Sequence, residues 1–246
     1  MLRTYWQASR APRYSLLFAL PLLIIYQILA AVAPAGPGGM SVRNGADVIL
    51  QSVFVWAAGA WGPRIFILCV IGVGAWLMAR DIRSHRGGGA LKPTFLAGMM
   101  AESICLSLVF GIVVGGLTAA LLGAPPPPMS LSSAERLGRW TMLMLSLGAG
   151  IYEELLFRVL LVGLIAWSAT KLLGWRPVVA GVVATVIGAL VFSAFHYIGP
   201  YGDRLDVYSF VFRAIAGVFF SALYLTRGFG ITAWTHSLYD VLLLFH

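Results

Sequence analysis

The sequence predicts an all-α, polytopic transmembrane helical bundle of about seven or eight spans around a central polar cavity. Three observations predict it. Only 11% of the 246 residues are charged, less than half the roughly 25% of a soluble domain. Mean hydropathy is +0.89. The apolar residues come in runs, several of about 20 residues, long enough to cross a bilayer as helices, with the basic residues concentrated in the short stretches between them.

Taken in order, the first run, Leu16 to Ala35, follows Arg3, Arg10 and Arg13. Ala31-Val32-Ala33 resembles a signal-peptidase site, but the apolar part is long enough to span and is read as an uncleaved first helix. Val48 to Trp61 is shorter and interrupted by Gln51, which predicts an interfacial or half-buried helix, or an eighth span if it crosses. Ile65 to Ala79 is a short span ending at Arg80-Asp81-Ile82-Arg83. Phe95 to Leu122 is a long span carrying Glu102. Its Gly111-x-x-x-Gly115 pair permits close helix packing without deciding an oligomeric state. A Pro/Ser-rich connector, GAPPPPMSLSSAERLGR from Gly123 to Arg139, is expected to be extended and stiff. Four further runs follow: Trp140 to Leu172, Val178 to Ile198, Val207 to Leu225 and Phe229 to Phe245. The chain therefore divides as one membrane domain, 1–246. It comprises N-terminal spans without motifs (1–123), the connector (124–139) and a motif-bearing core (140–246). No soluble domain or internal repeat interrupts it.

The net charge of +8 is spread over inter-helix loops instead of being gathered on one face, so no nucleic-acid partner is expected. It fits contact with anionic lipid and positive-inside topology. On a count of seven spans, the N-terminus, the Arg80–Lys92 loop, Lys171, Arg176 and Arg227 fall on the cytoplasmic side, with Arg136, Arg139 and Arg204 opposite. Cys69 and Cys105 lie in apolar runs and read as small buried hydrophobes.

Charge inside an apolar run is expensive and faces a bundle interior or a wet cavity. The runs hold Glu102, Glu153, Glu154, Arg158, His196, Arg213, His236 and Asp240. Glu154 and Arg158, four apart, share a helix face and can pair. Glu153 is turned about 100° from Glu154 in an α-helix and cannot share that partner in the same way. This leaves one glutamate structural and one available as a general base or acid. A buried ion network pinning helices together would also account for Glu153, Glu154 and Arg158. A second buried carboxylate without its own cation, however, costs several kcal/mol. His196 closes its span with Phe192 one turn earlier. His236 and Asp240 are four apart, so the carboxylate can orient the imidazole. Glu102 and Arg213 could line a transport passage or pair structurally. Together, the histidines and carboxylates on three helices look like an active site.

Glu153-Glu154-x-x-x-Arg158, Phe192-x-x-x-His196 and His236-x-x-x-Asp240, in that order, resemble the motif series of the CPBP family. These are the CAAX protease and bacteriocin-processing (Abi) proteins, intramembrane glutamate endopeptidases. The resemblance covers roughly Gly148 to Asp240, and Ala222 to His236 resembles the turn before the last motif. It implies that Glu153 and His196 activate a water for attack on a peptide carbonyl. Glu154 with Arg158 would support their helix, Phe192 would belong to the supporting set, and His236 would stabilise the oxyanion. Many family members end the last motif in Asn. Asp240, when ionised, only accepts hydrogen bonds, so its expected role is to orient His236. The resemblance implies no cofactor. Two histidines and a glutamate can hold catalytic zinc, but the helical H-E-x-x-H spacing is absent, leaving zinc as the lesser alternative.

The expected function is therefore an intramembrane endopeptidase acting on a membrane-associated peptide or protein tail. The expected location is a bacterial cytoplasmic membrane, with the lipid bilayer as the other partner. A scaffold, chaperone or transporter subunit retaining a relic site is the non-enzymatic alternative. One geometrical conflict stands. At about 1.5 Å per residue, His236 lies roughly 10 Å along its run and His196 roughly 27 Å along its own from the same side. Some span must tilt, break or stop early, at Gly199-Pro200 or at Gly148-Ala149-Gly150.

Overall fold

The computed structural model describes residues 2–34, 42–84, 91–123, 138–199 and 202–245, and among these every regular element is helical. A short α1 (Leu2–Arg10) leads into α2 (Pro12–Val32). Then come α3 (Gly45–Ala58), α4 (Gly62–Ser84) and α5 (Pro93–Leu122). α6 (Arg139–Gly148) continues through a π-helical stretch (Ala149–Val162) into α7 (Gly163–Lys171), followed by α8 (Pro177–Phe195), α9 (Val207–Arg227) and α10 (Phe229–Leu243). Most of the connector, 124–137, lies outside the described residues, as does Pro200.

Local chemistry sets several boundaries. Pro12, Pro93 and Pro177 occupy first-turn positions, where a missing N–H costs nothing. Asn44 caps α3 by accepting from Ala46 N, and Asp206 caps α9 by accepting from Ser209 N. Gly59, at φ +56°, turns the chain after α3. α4 then runs back along α3, bringing the Phe54 and Phe66 rings to 5.4 Å. Gly228, at φ +80°, is the single residue between α9 and α10. Both are left-handed conformations that glycine adopts without steric cost.

Five helical segments among the described residues are long and apolar enough to cross a membrane: Pro12–Val32, Gly45–Ser84, Pro93–Leu122, Pro177–Phe195 and Val207–Arg227. The count of seven or eight is not reached by this measure. α10 has 15 residues, short of the roughly 20 needed to span. The 140–172 run changes helix type at Ala149.

The outer surface is apolar, with Trp56 91%, Ile112 77% and Val178 77% exposed, while polar and charged side chains are buried among the helices. One apolar core gathers Phe110, Phe157, Phe192, Phe220 and Tyr239, and another gathers Leu22, Tyr26, Phe66, Met144 and Tyr152. This is the arrangement of a protein whose solvent is lipid. Cys69 and Cys105 are free and exposed, which corrects the buried reading: an apolar run does not reveal which helix face turns outward.

One end of the bundle collects basic residues. Arg10 Nη2 donates to Leu225 O at 3.0 Å, Lys92 N donates to Tyr14 OH at 2.8 Å, and Arg13 Nε lies 3.5 Å from Asp81 Oδ2. Glu102 takes both Arg227 Nε and Nη2, at 2.5 and 2.6 Å, and the Tyr5 hydroxyl at 2.7 Å. Glu102 and Arg213 thus pair structurally, each with a partner of its own. Arg213 holds Asp203 at 2.5 Å.

Candidate active site

The π stretch carries the paired glutamates. Helix α6 passes into it without a break, since Ala149 keeps right-handed helical angles (φ −57°, ψ −53°). The Gly148–Gly150 segment is therefore a point of close approach, where the helix widens instead of breaking. A Cβ on Gly150 would overlap Ser237 Oγ and Ala233 O of α10, and one on Gly148 would meet the Tyr26 ring and Asn44 Cβ. α2, the start of α3 and α10 all come up against the backbone here. The i→i+5 turn is wider than an α-turn and recurs at functional sites.

Glu154 is fully buried and serves two partners. Its Oε1 lies 2.7 Å from His236 Nδ1, and its Oε2 lies 3.1 Å from Arg158 Nε, a charge contact outside hydrogen-bond alignment. The Arg158 guanidinium, 1% exposed, lies 4.3 Å from the centre of the Phe192 ring and 5.4 Å from that of Phe220. Aromatic faces thus supplement the carboxylate as its surroundings.

Glu153, 6% exposed, accepts from Asn44 Nδ2 on Oε1 at 2.9 Å. Its Oε2 lies 3.8 Å from His196 Nε2 and has no hydrogen-bond partner among the described residues. His196 follows the last residue of α8, where its Nδ1 meets Phe192 O at 2.8 Å. A carbonyl only accepts, so Nδ1 carries the hydrogen and Nε2 of the neutral ring presents a lone pair. Two acceptors, Glu153 Oε2 and His196 Nε2, therefore face each other.

His236, 5% exposed, stacks on Phe220 with ring centres 4.4 Å apart at 18°. Asp240 Oδ2 lies 3.7 Å from its Nε2. The orienting hydrogen bond on His236 comes from Glu154 on a different helix, not from Asp240 one turn away, and this corrects the sequence expectation. Asp240 and His196 are the more exposed of these groups: their side chains are 29% and 24% exposed, against 8% for Glu153 and 6% for His236.

All seven predicted residues thus converge, with Phe192 joining the groups through its carbonyl and its ring. Some span was expected to break or stop early, and the chain departs from a straight bundle at two places. α8 stops at Phe195, after which the chain turns back so that Asp203 N donates to His196 O at 2.9 Å. The glutamate-bearing helix is widened. Sequence reasoning missed Asn44 and Phe220. Asn44 carried only a helix-start signal, and Phe220 was one aromatic residue in an apolar run. Among the described residues no group of three or more His, Cys, Asp or Glu side chains is arranged to hold a metal ion.

Residues 135–242 match the family model described as type II CAAX prenyl endopeptidase Rce1-like. No curated protein and no solved structure matches the chain. The matched segment contains the whole Glu153–His196–His236 constellation but not Asn44. Over residues 135–242, then, this multi-pass membrane protein is similar to the Rce1-like type II CAAX prenyl endopeptidases.

Proposed function

We propose that the protein is an intramembrane glutamate endopeptidase that hydrolyses a peptide bond in a membrane-associated peptide or protein tail. The observation that carries this reading is the pair of facing acceptors, Glu153 Oε2 and His196 Nε2, 3.8 Å apart. A water has two hydrogens to donate, and hydrogen-bond legs of about 2.8 Å reach across that gap. Held so, its oxygen lone pairs point away from both groups, toward an incoming carbonyl carbon.

In the reaction the water oxygen bonds to the carbonyl carbon as its proton passes to Glu153. The carbonyl oxygen becomes an oxyanion. His236 donates to it from Nε2 when the ring is doubly protonated, because Nδ1 already donates to Glu154. Two carboxylates lie beside the ring, Glu154 at 2.7 Å and Asp240 at 3.7 Å. Glu153 then passes its proton to the leaving nitrogen as the C–N bond breaks, giving a carboxylic acid and an amine. Glu154 and Arg158 hold the π stretch and His236 in register. No step calls on a metal.

The family description points to a prenylated CAAX tail as the first substrate to test. Resemblance to bacterial members widens the class to leader peptides and other membrane-proximal segments, cut at a bacterial cytoplasmic membrane. Wild type, Glu153→Gln and His196→Ala are compared in liposomes against a farnesylated peptide and candidate tails. Each substitution is expected to lower turnover by about 100- to 10,000-fold, with chelator leaving wild type unchanged. Equal cleavage by all three proteins would overturn the assignment. Loss of wild-type cleavage on chelation, restored by zinc, would transfer the chemistry to a metal.

A further inference from the structure

We infer that Asn44, which lies outside the family-matched segment, is a positioning residue for the hydrolytic glutamate. It fixes which carboxylate oxygen takes the proton. The inference rests on the reading of Glu153 as the water-activating base.

Three contacts determine how Asn44 sits. Its Oδ1 accepts from Ala46 N at 2.9 Å, capping α3. Its backbone N donates to Tyr26 OH at 3.2 Å. Its Nδ2 donates to Glu153 Oε1 at 2.9 Å. An amide has one accepting end and one donating end. Because the helix N-terminus occupies the oxygen, the NH2 group is the end that faces Glu153. The Asn44 amide orientation is thus set by the backbone of α3.

Tyr26 is held in turn. Its hydroxyl donates to Asp47 Oδ2 at 2.7 Å, and Arg43 Nη1 meets the same oxygen at 2.5 Å. Asn44 is 6% exposed and Asp47 fully buried. The amide is therefore presented from a rigid polar cluster on α2 and the start of α3.

The consequence is an unequal carboxylate. Oε1 is committed to the amide N–H, while Oε2 faces His196 with no partner among the described residues. The proton taken from water settles on Oε2, beside the reacting atoms. Losing the amide frees the carboxylate to rotate and exchange its oxygens. A misplacement of about 1 Å costs on the order of 100-fold in rate.

The test separates this role from capping. Asn44→Asp preserves the cap, since Asp caps as well as Asn, but it offers no donor and brings a carboxylate to Glu153. Asn44→Ser also preserves a cap, adds no charge and is too short to reach Glu153. Both variants are compared with wild type and Glu153→Gln in liposomes, using a farnesylated CAAX peptide as probe, with melting temperature measured alongside.

The expected result is a turnover number lowered about 10- to 100-fold in both Asn44 variants, with KM and the Asn44→Ser melting temperature near wild type. If Glu153→Gln is inactive but both Asn44 variants turn over at the wild-type rate, the positioning role falls and the proposed function stands. If Glu153→Gln cleaves as wild type does, both fall. Where wild type leaves the farnesylated peptide intact, the comparison is read on the candidate tail that wild type does cleave, and if it cleaves none, both fall. A loss of rate that only follows a loss of folded protein, in Asn44→Ser as well as Asn44→Asp, assigns Asn44 to capping and overturns the inference.

Discussion

Glu154 has more partners than its sequence neighbours suggested. It holds Arg158 on its own helix and His236 on α10, so substitution touches stability and chemistry together. Glu154→Gln leaves Arg158 buried without its counter-ion. Removing one partner of a buried ion pair costs about 3–5 kcal/mol, and the variant should unfold well below wild type in a detergent melt. Asp240→Asn should be milder in both respects, because Asp240 is the most exposed of the site's carboxylates and does not hold the imidazole. Measured side by side, a larger activity loss in Asp240→Asn than in Glu154→Gln would contradict this division. The i,i+4 spacing made both Glu154–Arg158 and His236–Asp240 legible as pairs in the sequence. It could not rank a local partner against one arriving from another helix, and for His236 the distant glutamate has the shorter contact.

Among the helices, the π stretch is the feature that sequence periodicity did not reveal. Its residues read as an ordinary apolar run with charges, because the difference between i→i+4 and i→i+5 bonding leaves no compositional mark. Gly148 and Gly150 did carry a signal, read as a possible break. Their role is instead to admit Tyr26 and Asn44 on one side and α10 on the other. Gly150→Ala places a methyl group against Ser237 Oγ and Ala233 O, and overpacking of this kind costs about 1–3 kcal/mol. The expected outcome is a lowered melting temperature together with reduced turnover, as α10 carries His236 away from Glu154. A variant with unchanged stability and unchanged rate would mean that α10 does not bear on this point of the helix.

Across the bundle, the charged residues outside the site act as fasteners. Arg227 reaches from the end of α9 to Glu102 on α5, where Tyr5 of α1 joins them, and its guanidinium lies 3.9 Å from the centre of the Trp6 ring. Glu102→Ala strands a buried guanidinium some distance along the chain from every proposed reacting group. It should lower the melting temperature while the folded fraction cleaves at the wild-type rate. A specific loss of turnover in fully folded Glu102→Ala would instead draw this end of the bundle into the mechanism.

Composition and periodicity were enough for the class of molecule and for the residues to watch. Long apolar runs need a lipid environment, and ionisable groups survive inside them only where they meet one another, so Glu153, Glu154, Arg158, His196, His236 and Asp240 stand out in the sequence. Which of them touch, and that Asn44 from the motif-free N-terminal half joins them, depended on how α2, α3, α8 and α10 pack around a widened helix. That information is not local. A hydrogen bond between residues 109 positions apart, such as Asn44 to Glu153, depends on close approach between glycine-lined helix faces. Spacing along a single helix says nothing about it.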